Sequence, residues 1–241
     1  MAKKNNRQII IAIGDNHLPF LAKPVWTWIL ESIIGPFADD ILAIVDMGDK
    51  YDFASFSRFP KRMSITPADE TSLAKKMATQ MWADVQKIAP GAKCYQLKGN
   101  HDERLAKRVI EIMPEVEHLI DYKSLWTFDG VETVHDSHSP LVIGDWTFIH
   151  GHTHFGGHLK ALDFSTNVVT GHTHTGGVIN HRINHFDNPK ILTELNCGFI
   201  GNPFNENLIY RPMGKFFKWT WGVGMIDPMG ARFIPFQGKL K

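Results

Sequence analysis

Three short apolar runs early in the chain each stop at a glycine followed by a tight polar cluster. Ile9–Ile13 runs into Gly14-Asp15-Asn16-His17, Ile41–Met47 into Gly48-Asp49-Lys50-Tyr51-Asp52, and Lys93–Lys98 into Gly99-Asn100-His101-Asp102. Continuous apolar runs of this kind read as strands buried on both faces. Helical patterns lie between and after them. Pro24–Ile34 has helical spacing and meets a stop at Gly35-Pro36. Thr66-Pro67-Ala68-Asp69 supplies a hydroxyl cap, a proline at the first helical position and an acid in the first turn. It predicts a helix to Ala89, stopped by Pro90-Gly91, and His101–Ile112 predicts the next, stopped near Pro114. Strands alternating with helices require parallel pairing through crossover helices.

The second half changes character. Leu141–Ile143 and Trp146–Ile149 flank Gly144-Asp145, a hairpin signal; Val178–Ile183 and Ile191–Asn196 read as further strands. Phe216–Met225 and Ala231–Phe236 surround the turn Asp227-Pro228-Met229-Gly230. An α/β half followed by a β-rich half predicts two sheets packed together with helices outside. No Pro/Gly/Ser-rich linker divides the chain, so one domain over 1–241 is expected. That length buries a core without staples.

Composition narrows the function classes. Lys and Arg number 26 against 25 Asp and Glu, a net charge of +1, which gives no broad field for nucleic acid or a membrane surface. The two cysteines, Cys94 and Cys197, argue against a disulfide framework and a thiolate zinc site, and fit a reducing compartment. No apolar run approaches the roughly 18 residues of a membrane span. Gln8–Ile13, after the basic stretch Met1–Arg7, is too short for the apolar region of a secretory signal. A cytoplasmic protein without membrane association is the expectation. Histidine, at 13 residues, is the unusual count, and many of these cluster beside Gly, Asp and Asn. Imidazole is the commonest metal ligand.

The carboxyl ends of parallel strands are where α/β sheets bind ligands. The second half adds His150-Gly151 and Gly171-His172-Thr173-His174, again at strand ends. Singly, Asp-x-His reads as a capped turn and Gly-Asn-His-Asp as a turn before a helix. Five such clusters together read as a metal site. Two carboxylates, one amide and four imidazoles are too hard a set for copper or iron–sulfur chemistry and too nitrogen-rich for calcium. They suit manganese, iron or zinc. They also exceed the needs of one tetrahedral ion, so two ions sharing a carboxylate is the economical arrangement.

The ordered set Asp15-x-His17, Gly48-Asp49-x-x-Asp52, Gly99-Asn100-His101-Asp102, His150-Gly151 and Gly171-His172-Thr173-His174 resembles the calcineurin-like metallophosphoesterase superfamily. The blocks span positions 15 to 174, about two thirds of the chain. The resemblance implies a mixed α/β fold, a four-layer sandwich of two mixed β-sheets flanked by helices. It implies that Asp15, His17 and His174 hold one divalent ion, that Asn100, His150 and His172 hold another, and that Asp49 bridges them. Manganese is the first expectation, with iron or zinc as alternatives. His101 would be catalytic rather than a ligand, Asp102 would orient its ring, and Asp52 would support from behind. The implied reaction is hydrolysis of a phosphoester by a hydroxide bridging the two ions, with His101 protonating the leaving oxygen. Two divalent ions against two carboxylates and one hydroxide leave one net positive charge to attract the phosphate. The neutral imidazoles and the Asn100 amide preserve it.

Two departures bear on substrate. Phe53 follows Asp52 where the protein Ser/Thr phosphatases of the superfamily carry Arg, and Asp102 stands where they carry Glu. Both favour a phosphodiester: a nucleotide, a cyclic nucleotide or a nucleic-acid end. The alternatives are a phosphomonoesterase or protein phosphatase, and a metal-binding interaction module without catalysis. The first is weakened by Phe53, the second by retention of His101 and all the ligands. The 67 residues after His174 read as core strands, not as the DNA-capping domain of the superfamily's repair nucleases. A nucleic-acid partner therefore rests on the basic-aromatic segment Arg58-Phe59-Pro60-Lys61-Arg62, read first as a solvated loop and second as a phosphate contact. Arg104, one turn after His101, is a candidate substrate contact.

Gly151-His152-Thr153-His154 echoes the last block and offers rival ligands. His150 is preferred, because it follows the apolar run Trp146–Ile149 and precedes Gly151 as the family's fourth block does. His152 then sits at the rim, touching substrate. His135 and His138 read as solvated loop residues, and His181 and His185 as residues of a half-exposed strand. His118 and His158 carry no functional signal. Trp26, Trp28, Trp82, Trp219 and Trp221 read as core or partner surface.

Overall fold

The run Ile9–Ile13 is β1, near the middle of a six-stranded sheet, and its alternation divides two cores. Ile9, Ile11 and Ile13 face helices, whereas Ile10 and Ala12 face a second sheet. The structure is a computed structural model describing residues 7–58, 64–134, 140–152, 160–183, 189–205 and 218–240. Strand β1 pairs in parallel with β2 (Ile41–Asp46), β2 with β3 (Lys93–Leu97), and β3 with β4 (Val131–Val134). On its other side β1 is antiparallel to β10 (Gly222–Asp227), which turns back into β11 (Gly230–Pro235). The order β11-β10-β1-β2-β3-β4 bears out the alternating first half.

The second sheet has the order β5-β6-β7-β9-β8. Its strands are β5 (Leu141–Ile143), β6 (Trp146–Phe148), β7 (Asn167–Thr170), β8 (Gly177–Ile183) and β9 (Lys190–Asn196). The hairpin signal at Gly144-Asp145 is the β5–β6 turn. Strands β6, β7 and β9 are parallel, with Phe148 opposite Val169 and Thr170 opposite Asn196. Ala12, Val45, Met47 and Leu97 of the first sheet pack on Phe148, Val169, Leu195 and Cys197 beneath the second. Helices α1 (Lys23–Trp28) and α3 (Pro67–Ile88) cover the outer face of the first sheet. Helix α5 (Lys160–Phe164) covers part of the second through Ala161, against Ile149, Val168 and Leu192. The result is the expected mixed α/β sandwich of two sheets flanked by helices. No helix among the described residues is long and apolar enough to cross a membrane.

Several boundaries differ from the sequence reading. Gly35-Pro36 does not stop the first helix: α1 continues as a π-helical turn (Ile29–Ile34) into the short α2 (Gly35–Phe37). The Gly35 N–H donates to the Leu30 carbonyl five residues back, and Pro36 falls in the first turn of α2, where no donor is needed. Helix α4 (Arg104–Ile112) begins at Arg104, not His101. The amide of His101 donates instead to the Asp49 carboxylate, and that of Gly99 to Asp102. The strand expected over Phe216–Met225 starts at Gly222, with Phe216 and Phe217 outside the described residues. Helix α3 is as expected, with Thr66 Oγ1 accepting the Asp69 N–H at 3.2 Å. Its buried Glu70 takes the N–H groups of Ala54 at 2.6 Å and Ser55 at 2.9 Å, so the long helix holds the turn that follows Asp52.

Candidate metal centre

All five polar clusters meet at one rim of the sandwich, at the carboxyl ends of β1, β2, β3, β6 and β7. Register places them there, and backbone bonds continue it into the loops. Asp15 N–H donates to Gly48 O at 3.0 Å, His17 N–H to Asp49 O at 2.9 Å, and Leu18 N–H to Lys50 O at 2.8 Å. Gly171 N–H donates to His150 O at 3.1 Å, tying the fourth cluster to the fifth. Below them Lys50 and Asp46 form a fully buried ion pair, and Asp46 also takes the Asn16 amide at 2.8 Å. The Lys50 ammonium lies 4.8 Å from the centre of the Trp82 ring, whose N–H donates to Gln96 at 3.0 Å.

The side chains converge in two groups that share one residue. Asp15, His17, Asp49 and His174 bring ligand atoms within 4.8 Å of one another, and so do Asp49, His150 and His172. In the first group His174 Nε2 stands 3.1 Å from His17 Nε2 and 3.2 Å from Asp15 Oδ1. In the second His150 Nε2 stands 3.2 Å from Asn100 Oδ1 and 3.4 Å from Asp49 Oδ2. All but Asn100 and His172 are buried. The tautomers follow from outer contacts. His17 Nδ1 donates to Asp52 at 2.8 Å and His150 Nδ1 to the Met47 carbonyl at 2.8 Å. Each ring therefore turns its Nε2 inward, onto oxygens or another imidazole nitrogen. Lone pairs gathered this closely need a proton or a cation between them. These buried His and Asp groups can hold metal ions.

Without a cation, protons take up that role. Burial raises the Asp49 carboxyl, but His150 and His101 outweigh it and hold Asp49 well below the ordinary carboxylate range. Burial opposes charge on His150 too, yet Asp49 and Asp15 push its pKa up to about 10. His172 is driven the other way, to about 4, by burial and by the neighbouring His150 cation. Burial, with Asp49 nearby, pushes the Asp15 carboxyl up to about 6, against the pull of His150. Loading a cation displaces such protons.

The expectation for Asp102 needs correction. It does not orient His101: one of its oxygens accepts the Tyr51 N–H at 2.8 Å, the other the N–H groups of Gly99 at 2.7 Å and Lys50 at 3.3 Å. Asp102 stitches the second cluster to the third. Asp52 does the orienting, because its Oδ1 accepts from His101 Nδ1 at 2.7 Å as well as from His17 Nδ1. With both imidazoles against it, Asp52 is held far below the ordinary range despite its burial. His17, Asp52 and His101 also form a compact group, but hydrogen bonds between them occupy these atoms. His101 Nε2 lies 3.8 Å from Asp49 Oδ2 and 2.8 Å from the Arg104 guanidinium, which also donates to the Asp52 carbonyl at 2.9 Å. Arg104 thus reaches His101 at the edge of the site.

His152 stands at the rim, its ring centre 5.4 Å from that of His150 and 6.2 Å from that of His172. His118 is exposed, and His181 faces Glu194 at 3.2 Å. His135, His138, His154, His158, His185 and residues 59–62 lie outside the described residues. Three residues that shape the site were not read from the sequence. Phe199, fully buried, stacks on His174 with ring centres 4.5 Å apart. Trp219 meets His174 edge-on at 4.3 Å, so it belongs to the site and not simply to the core. Asn196 donates to Gly171 O at 3.0 Å and Thr173 Oγ1 at 2.9 Å, pinning the last cluster. Their one signal is position: they follow a strand on the same rim or a turn beside it.

Backbone conformation singles out the same residues. Seven non-glycine residues among those described have positive φ, and five are candidate ligands: Asp15 (53°), His17 (48°), Asp49 (50°), His172 (67°) and His174 (60°). Left-handed conformations cost about 1–3 kcal/mol each outside glycine and gather at functional sites. No family model matches the chain, and no curated protein matches it.

Proposed function

We propose that the chain is a two-metal phosphodiesterase of the calcineurin-like metallophosphoesterase superfamily, hydrolysing a nucleotide, cyclic nucleotide or nucleic-acid phosphodiester. The observation that carries this reading is Asp49, shared by two inward-facing donor groups. Asp15, His17, Asp49 and His174 would hold one ion, and Asp49, Asn100, His150 and His172 the other. Bound there, the ions supply positive charge that acidifies water and polarises a phosphoryl oxygen.

The chain's own groups do the rest. Asp52 fixes His101 with Nδ1 bearing the proton and partly offsets the burial that lowers the ring's pKa, so Nε2 takes its acidic proton from solvent before it acts. Nε2 faces Arg104, so the ester must take Arg104's place there before His101 can protonate a leaving oxygen. The displaced guanidinium is then free for a phosphoryl oxygen. Such general acid catalysis typically contributes about 10²–10⁴-fold. Phe53 supports the diester preference: it packs against Tyr51 and Phe56 and brings no charge to the site. A cytoplasmic location belongs to this reading, and the two buried free thiols, Cys94 and Cys197, support it.

A metal-reconstituted activity panel tests the proposal. Manganese-, iron- and zinc-loaded protein would be offered bis-p-nitrophenyl phosphate, p-nitrophenyl phosphate, 2′,3′- and 3′,5′-cyclic nucleotides and short DNA. Faster turnover of a diester than of p-nitrophenyl phosphate is expected. Monoester turnover far above every diester would replace the reading with a phosphomonoesterase. Metal uptake without hydrolysis of any ester would leave a metal-binding interaction module.

A further inference from the structure

On the Asn100 side of the ligand cluster a cleft of about 430 Å³ opens between the Ala54–Phe56 turn and α4. Pockets of roughly 300–1,000 Å³ hold small ligands, so the space suits about one nucleotide. Arg104, Lys107, Arg108 and Glu111 line it at spacings of three and four, which puts them on one face of α4. Arg58 faces them from the turn, where Phe56 adds an apolar wall. The lining therefore carries four cations against one carboxylate, although the whole chain has a net charge of only +1.

The cations form a row leading away from His101. Arg104 is anchored at its start by His101 Nε2 and the Asp52 carbonyl. Arg108, one turn further on, is about 6 Å along the helix, the scale of one sugar–phosphate unit. The outer charges are weakly held. Arg108 pairs with Glu111 at 3.1 Å and Arg58 approaches the same carboxylate at 3.9 Å, on side chains 42% and 73% exposed. Exposed pairs of this kind contribute little, so a phosphate can displace them. Arginine forks favour phosphate over a point charge.

We propose that this cleft binds a phosphate flanking the scissile one, so that the substrate is an oligonucleotide strand and not a lone diester. The inference rests on the phosphodiesterase reading, and it favours nucleic acid over an acidic peptide because the cationic row is continuous with the ligand cluster. Binding and turnover test it separately. Binding of a short fluorescein-labelled single-stranded DNA to chelator-treated protein would be followed by anisotropy across a salt series. Arg58→Gln combined with Arg108→Gln should weaken binding about tenfold and flatten the salt dependence by roughly 0.7 for each phosphate no longer neutralised. Glu111→Gln, which removes the opposing carboxylate, should tighten it, so the outcome does not hang on a damaged variant. In loaded enzyme, the double variant should lower kcat/KM on the oligonucleotide about tenfold more than on bis-p-nitrophenyl phosphate. Unchanged affinity and salt slope, equal losses on both substrates, or tighter binding of an acidic peptide than of DNA would overturn the subsite. Binding that responds to these variants without hydrolysis of any phosphoester would keep the subsite and overturn the phosphodiesterase reading.

Discussion

Asp15 is under opposite demands with and without a cation. In the metal-free protein burial holds its pKa at about 6, above the ordinary carboxylate value. A carboxyl raised in this way stabilises the fold below its unfolded pKa, and that contribution is lost as pH rises through 6. Two pKa units correspond to about 3 kcal/mol. His172, held down at about 4 by burial, and His101, also lowered by burial, act in the opposite direction as pH rises toward the ordinary imidazole value, so the Asp15 share is read by difference. Between pH 4 and pH 7.5 the melting temperature of chelator-treated Asp15→Asn should gain on that of chelator-treated wild type, while its metal uptake is weakened. A difference between the two melting temperatures that stays constant across that range would contradict this. His101 carries a second prediction. His101→Ala should keep its metal content and lose about 10²–10⁴-fold in kcat on esters with alkoxide leaving groups. The loss should shrink with p-nitrophenolate, which needs little protonation. Equal losses on both would make His101 a phosphate-positioning residue. The types and order of these residues were legible because each follows a strand. The division of labour between Asp52 and Asp102 was not, since both carboxylates sit within reach in sequence and only the loop path decides which one meets the ring.

At the scale of the element, the loops are built on close backbone approaches. A Cβ on Gly99 would lie 2.2 Å from Asp49 Oδ1 and 2.5 Å from the Asp49 nitrogen. Gly48, at φ 97°, leaves room on the other side. Gly99→Ala should push the Asp49 carboxylate aside and weaken metal binding about 10–100-fold, the range for changes behind a ligand. Calorimetric titration with manganese checks this, and unchanged affinity would show that Asp49 is not a ligand. The repeated Gly-His-Thr-His segment gives another test. His150→Ala should lower metal content, whereas His152→Ala, at the rim, should leave it near wild type. Elemental analysis showing the reverse would exchange their roles. The apolar runs and the Thr66 cap made the long elements legible. Strands β4 and β7 were not, because four residues such as Val131-Glu132-Thr133-Val134 carry too short an alternation. Their pairing is supplied by neighbours: β3 fixes β4, and β6 and β9 enclose β7.

Over the whole molecule, the sandwich joins chain segments that sequence keeps far apart. His17 and His174 meet at 3.1 Å across 157 positions because β1 and β7 lie in facing sheets that end at the same rim. Alternating strands and helices made the first sheet legible. The second was legible only in part, since its order, with β9 inserted between β7 and β8, follows from packing and not from local pattern. Both sheets are required to bring Asp49 between two donor groups, so metal stoichiometry tests the central claim most directly. Elemental analysis of saturated wild type should give two ions per chain, and Asp49→Ala should weaken both sites together. One ion in the saturated wild type with no second site on titration, or Asp49→Ala losing a single ion while the other stays tight, would contradict a shared centre.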